Sequence, residues 1–108
     1  MKNQVNLIGY VGQDPEIRNL GNGKKLARFS VATHSYYTTR TGERKEETQW
    51  HQVVAWNKTA DIIERFVSKG RLVNIDGQIV YRQFEDRNGV KHTVAEIRAE
   101  NVRFLDRK

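Results

Sequence analysis

An all-β barrel of five strands, with one short helix between the third and the fourth, is the fold class this sequence predicts. Three observations carry it. Several segments alternate apolar and polar residues with the period of two that sends successive strand side chains to opposite faces. One segment, NKTADIIERFVSKG at 57–70, has the helical period instead. The repeated strand and helix alternation of a parallel α/β domain is missing, since no second segment has that period.

The first strand is QVNLIGYVG at 4–12, with Val5, Leu7 and Val11 on one face and Ile8 and Tyr10 on the other. Gly9 and Gly12 within it mark a bulge or a sharp curve. QDPEIRNLGNGKK follows as a loop, broken by Pro15 and turned by GNG at 21–23. The second strand, 26–37, sets Ala27, Phe29, Val31 and Thr33 against Arg28, Ser30, Ala32 and His34. YYTTRTGERKEE is polar and predicts a long, mobile hairpin tip around TGE at 41–43.

The third strand lies in TQWHQVVAWNK, 48–58, where Trp50, Gln52, Val54 and Trp56 share a face opposite His51, Val53 and Ala55. Val53 and Ala55 are compact enough to line a small barrel, which leaves both indoles facing outward. In the helix, Ala60, Ile63, Phe66 and Val67 recur at helical spacing and Ile62 widens the stripe. Asp61 is placed in its first turn, and Lys69 with Gly70 marks its end. The fourth strand, RLVNIDGQIVYRQF, turns Val73, Ile75, Gly77 and Ile79 inward and Asn74, Asp76, Gln78, Val80, Arg82 and Phe84 outward. DRNG is a hairpin turn, and KHTVAEIRAENVRFL is the fifth strand with Ala95, Ile97 and Ala99 on its core side. This order is that of an OB-fold, a five-stranded Greek-key barrel that binds single strands and oligosaccharides across its second and third strands.

At 108 residues the chain is expected to form one domain, 1–108. A domain of this size buries only about 60 to 68% of its unfolded surface, so subunit contacts would add to its stability. The 19 Lys and Arg against 13 Asp and Glu give a net charge of +6, spread along the chain. Such a field favours a polyanion, nucleic acid first and an anionic membrane second. With no cysteine there is no disulfide and no zinc-thiolate site, in agreement with a reducing compartment. No run approaches the roughly 18 apolar residues of a membrane span, and the N-terminus lacks a signal peptide's apolar region, so a cytoplasmic location is expected.

The outward set gathers Tyr36, Tyr37, Trp50, Trp56 and Phe84, interleaved with Arg28, Lys58 and Arg82. Flat rings stack on any base at about 1 to 3 kcal/mol each while cations neutralise phosphates, so such a face can hold a single strand without reading its sequence. A duplex hides its base faces from it. Strand tryptophans also serve as core or subunit-interface residues, and that alternative stays open for each. His34 and His92 have no Asp, Glu or Cys at ligand spacing, so no metal or cofactor is expected. An enzyme is disfavoured by the absence of cysteine, of paired histidines and of a phosphate-binding glycine loop. Glu46 and Glu47 are read as having no base beside them.

Several stretches are specific: NLIGYVGQDPEIR at 6–18, FSVAT at 29–33, TGE at 41–43, WHQVVAW at 50–56, KG at 69–70 and the closing AEIRAENVRFL. Through them the chain resembles the bacterial single-stranded DNA-binding protein family over nearly its full length. The resemblance implies a homotetramer, a dimer of dimers, that binds single-stranded DNA during replication, recombination and repair, with a cytoplasmic, nucleoid-associated location. It assigns the family's stacking aromatics to Tyr37, with Tyr36 as competitor, and to Trp50, Trp56 and Phe84. It assigns phosphate contacts to Arg18, Lys58, Lys69 and Arg82. His51 falls near a subunit contact in that family, against the alternative of simple hydrogen-bonded packing. Asn57 stands where the family commonly has glycine, and Gln83 where a basic residue is frequent. Family members commonly continue into a flexible linker and an acidic tip that recruits partners, whereas this sequence closes on DRK, so tail-mediated partners are not assigned to it. An OB module serving RNA or the replication machinery is the alternative function.

Overall fold

The computed structural model describes residues 1–106; Arg107 and Lys108, within the closing DRK, lie outside the described residues. Its elements are β1 (Val5–Val11), β2 (Glu16–Gly21), β3 (Lys24–Thr38), β4 (Arg44–Trp56), α1 (Asn57–Phe66), β5 (Leu72–Glu85) and β6 (Lys91–Phe104). Neighbouring strands run β1-β5-β6-β4-β3-β2, and β1 also pairs with β3 through Tyr10↔Ala32 and Val11↔Val31. That second pairing closes β1, β3, β4, β6 and β5 into the five-stranded OB barrel, with α1 between its third and fourth strands. All pairings are antiparallel except β4 with β6, where Val53 meets Ile97.

Closure needs a close crossing, and Gly9 supplies it: a Cβ there would lie 2.1 Å from the Ala32 carbonyl oxygen. Phe29, Val31, Val53, Ile63, Val73 and Ile75 fill the interior, and α1 joins them through Ala60 and Ile63. The inward sets of β3, β4 and β5 fall where their alternation placed them. Asn57 adopts φ +52°, in the left-handed region that asparagine tolerates better than most residues, and its Oδ1 accepts the Lys25 backbone N–H at 3.1 Å. The glycine-like position is therefore met by a residue that also ties α1 to β3.

The structure corrects several local expectations. The segment read as a loop after the first strand holds β2, paired with β3 through Ile17↔Ala27 and Arg18↔Leu26; its polar sequence, with only Ile17 turned toward the core, masked it. The helix stops at Phe66, before Lys69 and Gly70, and Phe66 is half exposed. Asp61 is not in the first turn. It joins Glu64 in holding the Lys25 ammonium, at 2.8 and 2.6 Å, and these bonds, Asp61's first, raise the Lys25 pKa.

Two hairpins run on past the barrel. β3 and β4 stay paired out to Thr38↔Arg44, so most of the polar stretch expected as a mobile tip is ladder and only 39–43 is turn. β5 and β6 stay paired out to Glu85↔Lys91. Ala95 lies in this second arm opposite Tyr81 and is exposed, contrary to its expected core position. Towards the end of β6 the register slips from Gly77↔Ala99 to Asp76↔Asn101. This bulge at Glu100 switches the inward phase from Ile97 and Ala99 to Val102 and Phe104. Among the described residues no helix is long and apolar enough to cross a membrane.

Candidate nucleic-acid interface

Residues paired across antiparallel strands share a face, so the register maps the surface. On β3 and β4 the pairs Leu26↔Trp56, Arg28↔Val54, Ser30↔Gln52, Ala32↔Trp50 and Tyr36↔Glu46 lie on one outer face. β2 extends it through Arg18↔Leu26. On the other side Val54↔Arg98 leads to β6, then Val80↔Glu96, Arg82↔Val94 and Phe84↔His92 lead across to β5. Tyr36, Trp50, Trp56 and Phe84 therefore stand on one continuous face, with Arg18, Arg28 and Arg82 among them.

Both tryptophans are open to solvent, Trp50 at 59% and Trp56 at 40%, which removes them from the core. Trp50 reaches over Gly12, where a Cβ would lie 2.3 Å from its Cζ3; the missing side chain lets the indole lie against the strand. Trp56 closes β4 as the residue before α1, its backbone extended at φ −120°. The Arg44 guanidinium stands 4.6 Å from the Tyr36 ring centroid, and that of Arg82 5.6 Å from Phe84. Phe84 also stacks on His92, centroids 5.0 Å apart. His92 Nε2 lies 2.7 Å from Asp86 Oδ2, and the Asn88 and Val90 N–H groups donate to Asp86 Oδ1. These bonds, His92's foremost, hold the Asp86 pKa below the usual carboxylate value.

Tyr37 does not join this face. It pairs with Lys45 and points the other way, on the side of Thr33 and His51. The expected single platform of both tyrosines thus divides, with Tyr36 beside the tryptophans.

Between Trp56 and the β5–β6 arm lies a hollow of about 400 Å³ lined by Arg28, Arg82, Arg98, Tyr81 and Glu96. The buried Glu96 carboxylate accepts Arg28 Nη1 at 2.5 Å and Arg82 Nε at 3.3 Å. Arg98 forms no ion pair among the described residues. The face so described can stack bases and bind phosphates.

The model of the Single-strand binding protein family matches residues 2–105. This chain belongs to that family. Similar relatives are single-stranded DNA-binding proteins of Neisseria meningitidis, 38% identical over 95% of the chain, and of Rickettsia typhi, 43% identical over 92%. The chain spans 59% and 66% of the lengths of those two proteins. Among solved structures it is similar to the Plasmodium falciparum SSB in complex with ssDNA, with a TM-score of 0.91, 33% identity and coverage of 98% and 97% of the two chains. It is also similar to the single-stranded DNA-binding protein from Thermus aquaticus, in a deletion mutant, with a TM-score of 0.85, 28% identity and coverage of 97% and 51%.

Within this family member the remaining site residues are spread more widely. Lys58 lies in the first turn of α1, two residues past Trp56, beside a hollow that Lys24, Lys25 and Asn19 also line. Lys69 lies in the link to β5; its N–H donates to Asp14 at 2.9 Å and the Gly70 N–H to Val11 at 2.8 Å, which fixes it near Gly12. Arg18 is exposed and, among the described residues, paired with Glu16 alone, at 3.3 Å. His51 is half-buried on the opposite face, with Nε2 2.9 Å from Thr33 Oγ1.

One expectation about catalysis needs correcting: Glu46 does have a base beside it, since its Oε1 is 2.9 Å from His34 Nδ1. Thr48 Oγ1 reaches the same Nδ1 at 3.0 Å, so no relay passes through the ring, which would need both nitrogens. Among the described residues no three His, Cys, Asp or Glu groups cluster as metal ligands. Glu96, Arg98, Arg44 and His92 were missed in the sequence. The alternation that places Ile97 and Ala99 inward already places Glu96 and Arg98 outward. Arg44 lay in the stretch read as loop, where phase has no meaning.

Proposed function

We propose that this chain is a single binding domain that holds single-stranded DNA without regard to sequence and protects it in replication, recombination and repair. The observation that carries this reading is the placement of Tyr36, Trp50, Trp56 and Phe84 on one outer face, exposed and interleaved with arginines. Stacking on those rings needs unpaired bases, which a duplex does not offer. The complex of the similar Plasmodium falciparum protein with ssDNA supports the same ligand. Arg18, Arg28, Lys58, Lys69 and Arg82 are assigned to phosphates, and Tyr36 is preferred to Tyr37 for stacking because it shares the tryptophan face. The chain acts as a homotetramer, a dimer of dimers, in the cytoplasm and at the nucleoid. Ile8 and Tyr10 support self-association, being large, half exposed and on the side of β1 turned away from the core. His51 is assigned to a subunit contact.

Titration with oligo(dT) tests the reading, because indole emission reports stacking. Emission should quench, and Trp56→Ala should lose about 1 to 3 kcal/mol of affinity with the fold intact. Unchanged emission, or equal affinity for a duplex of the same length, would overturn it. A clear preference for oligo(U) would move the assignment to RNA.

A further inference from the structure

Glu96 is an anomaly on a face built for a polyanion. It is 5% exposed, it sits in the hollow beside Trp56, and its carboxylate binds two of the arginines that a strand would meet. A buried ion pair is a poor reason for its presence, since apolar residues of similar size stabilise as well or better. What the carboxylate does without ambiguity is subtract charge. Arg28, Arg82 and Arg98 alone would give the hollow three positive charges, and Glu96 leaves it a net of two. The geometry keeps the anion away from the ligand: the Glu96 side chain is 6% exposed, whereas the Arg28 and Arg82 side chains that bind it are 34% and 45% exposed. A strand therefore meets the outer N–H edges of two arginines whose combined charge is halved.

Withholding a charge has unequal consequences for the two forms of DNA. Each phosphate neutralised contributes a log-log salt slope of about 0.9 for duplex but about 0.7 for single strands, because the duplex carries the denser charge. Stacking is open only to the single strand. We propose that Glu96 is a specificity-determining residue: by neutralising one arginine charge beside Trp56 it weakens duplex binding more than single-strand binding, so that stacking decides the ligand. This inference rests on the reading of the face as a single-strand site.

The test measures binding of oligo(dT) and of an equal-length duplex across a salt series, for the wild-type chain and Glu96→Gln. The neutral isostere should tighten both at low salt, steepen the slope by about 0.9 for duplex and about 0.7 for oligo(dT), and so lower the preference for single strands. The double variant Arg28→Gln with Glu96→Gln restores the net charge and should restore both slopes. Should Glu96→Gln fold poorly, Arg98→Gln asks the same question with an exposed residue: removal of a positive charge there should flatten both slopes and raise the single-strand preference. Weaker binding by folded Glu96→Gln with unchanged slopes would make Glu96 a packing residue and overturn the proposal, as would equal gains for both ligands. Failure of Arg98→Gln to raise the preference would also count against it. A wild-type chain that ignores oligo(dT) would instead sink the single-strand reading itself, and this inference with it.

Discussion

Strand β3 crosses two environments within fifteen residues. From Ala27 to Ala32 it is buried on both sides except at Arg28: Phe29 and Val31 face the core, while Ser30 and Ala32 lie under the β1 crossing at Gly9 and Gly12. From His34 to Thr38 it is exposed on both sides and is held by its ladder with β4. The difference separates two jobs. In the barrel, side chains exclude water and fix the fold; in the arm they stay exposed to solvent, so rings and cations can meet a ligand. Trp50 stands at the border, anchored against Gly12 yet open on its other side.

The largest effect should come from breaking the barrel half. Phe29→Ala removes a fully buried ring and should lose about 3 to 5 kcal/mol in chemical denaturation, a large share of the stability of a domain this small. In the same strand Tyr36→Ala should leave the denaturation midpoint almost unmoved. A comparable loss of stability from Tyr36→Ala would mean that the arm packs on something and is not free.

A smaller effect, on affinity, should separate the two faces of the arm. Tyr36→Ala should lose about 1 to 3 kcal/mol of oligo(dT) affinity, whereas Tyr37→Ala, on the side of Lys45, should lose a few tenths at most. The measurement is a salt-matched titration of both variants. A greater loss at Tyr37 would put the strand on the opposite face of the hairpin and sever Tyr36 from the tryptophan row.

The same division explains what could be read beforehand. Alternation is imposed by a core, so Phe29, Val31, Val53, Ala55, Val73 and Ile75 announced the barrel and, by exclusion, the outward tryptophans. Where no core lies beneath, the pattern loses its cause. Residues 39–47 carry no apolar alternation, so the ladder in the first arm, with Arg44 over Tyr36, was hidden. β2 was hidden likewise, having Ile17 alone to turn inward. Ala95 shows the converse error: it continues the inward phase of Ile97, but the barrel has ended and nothing is left for it to pack against. Glu96 escaped because its burial depends also on Arg28, 68 residues away, and no local pattern records such a pairing.

The smallest effect should appear at the tip of the second arm, where the turn is held by one carboxylate. Asp86 accepts the backbone N–H groups of Asn88 and Val90 and pairs with His92, and its pKa is lowered, with His92 the first cause. A depressed carboxylate stabilises the fold while ionised. Its contribution is complete above the ordinary Asp value and is lost as pH falls from there through the lower folded value. Below the ordinary carboxylate range the amides of Asn88 and Val90 should therefore lose protection from hydrogen exchange faster than those of the barrel strands. His92, released from Asp86, would then stack less firmly on Phe84. Asp86→Ala, which removes the acceptor, should expose the same amides at neutral pH and abolish their acid response, with the barrel amides unchanged. If tip and barrel lose protection together in acid, the arm is coupled to the core, and the separation seen along β3 does not extend to β5 and β6.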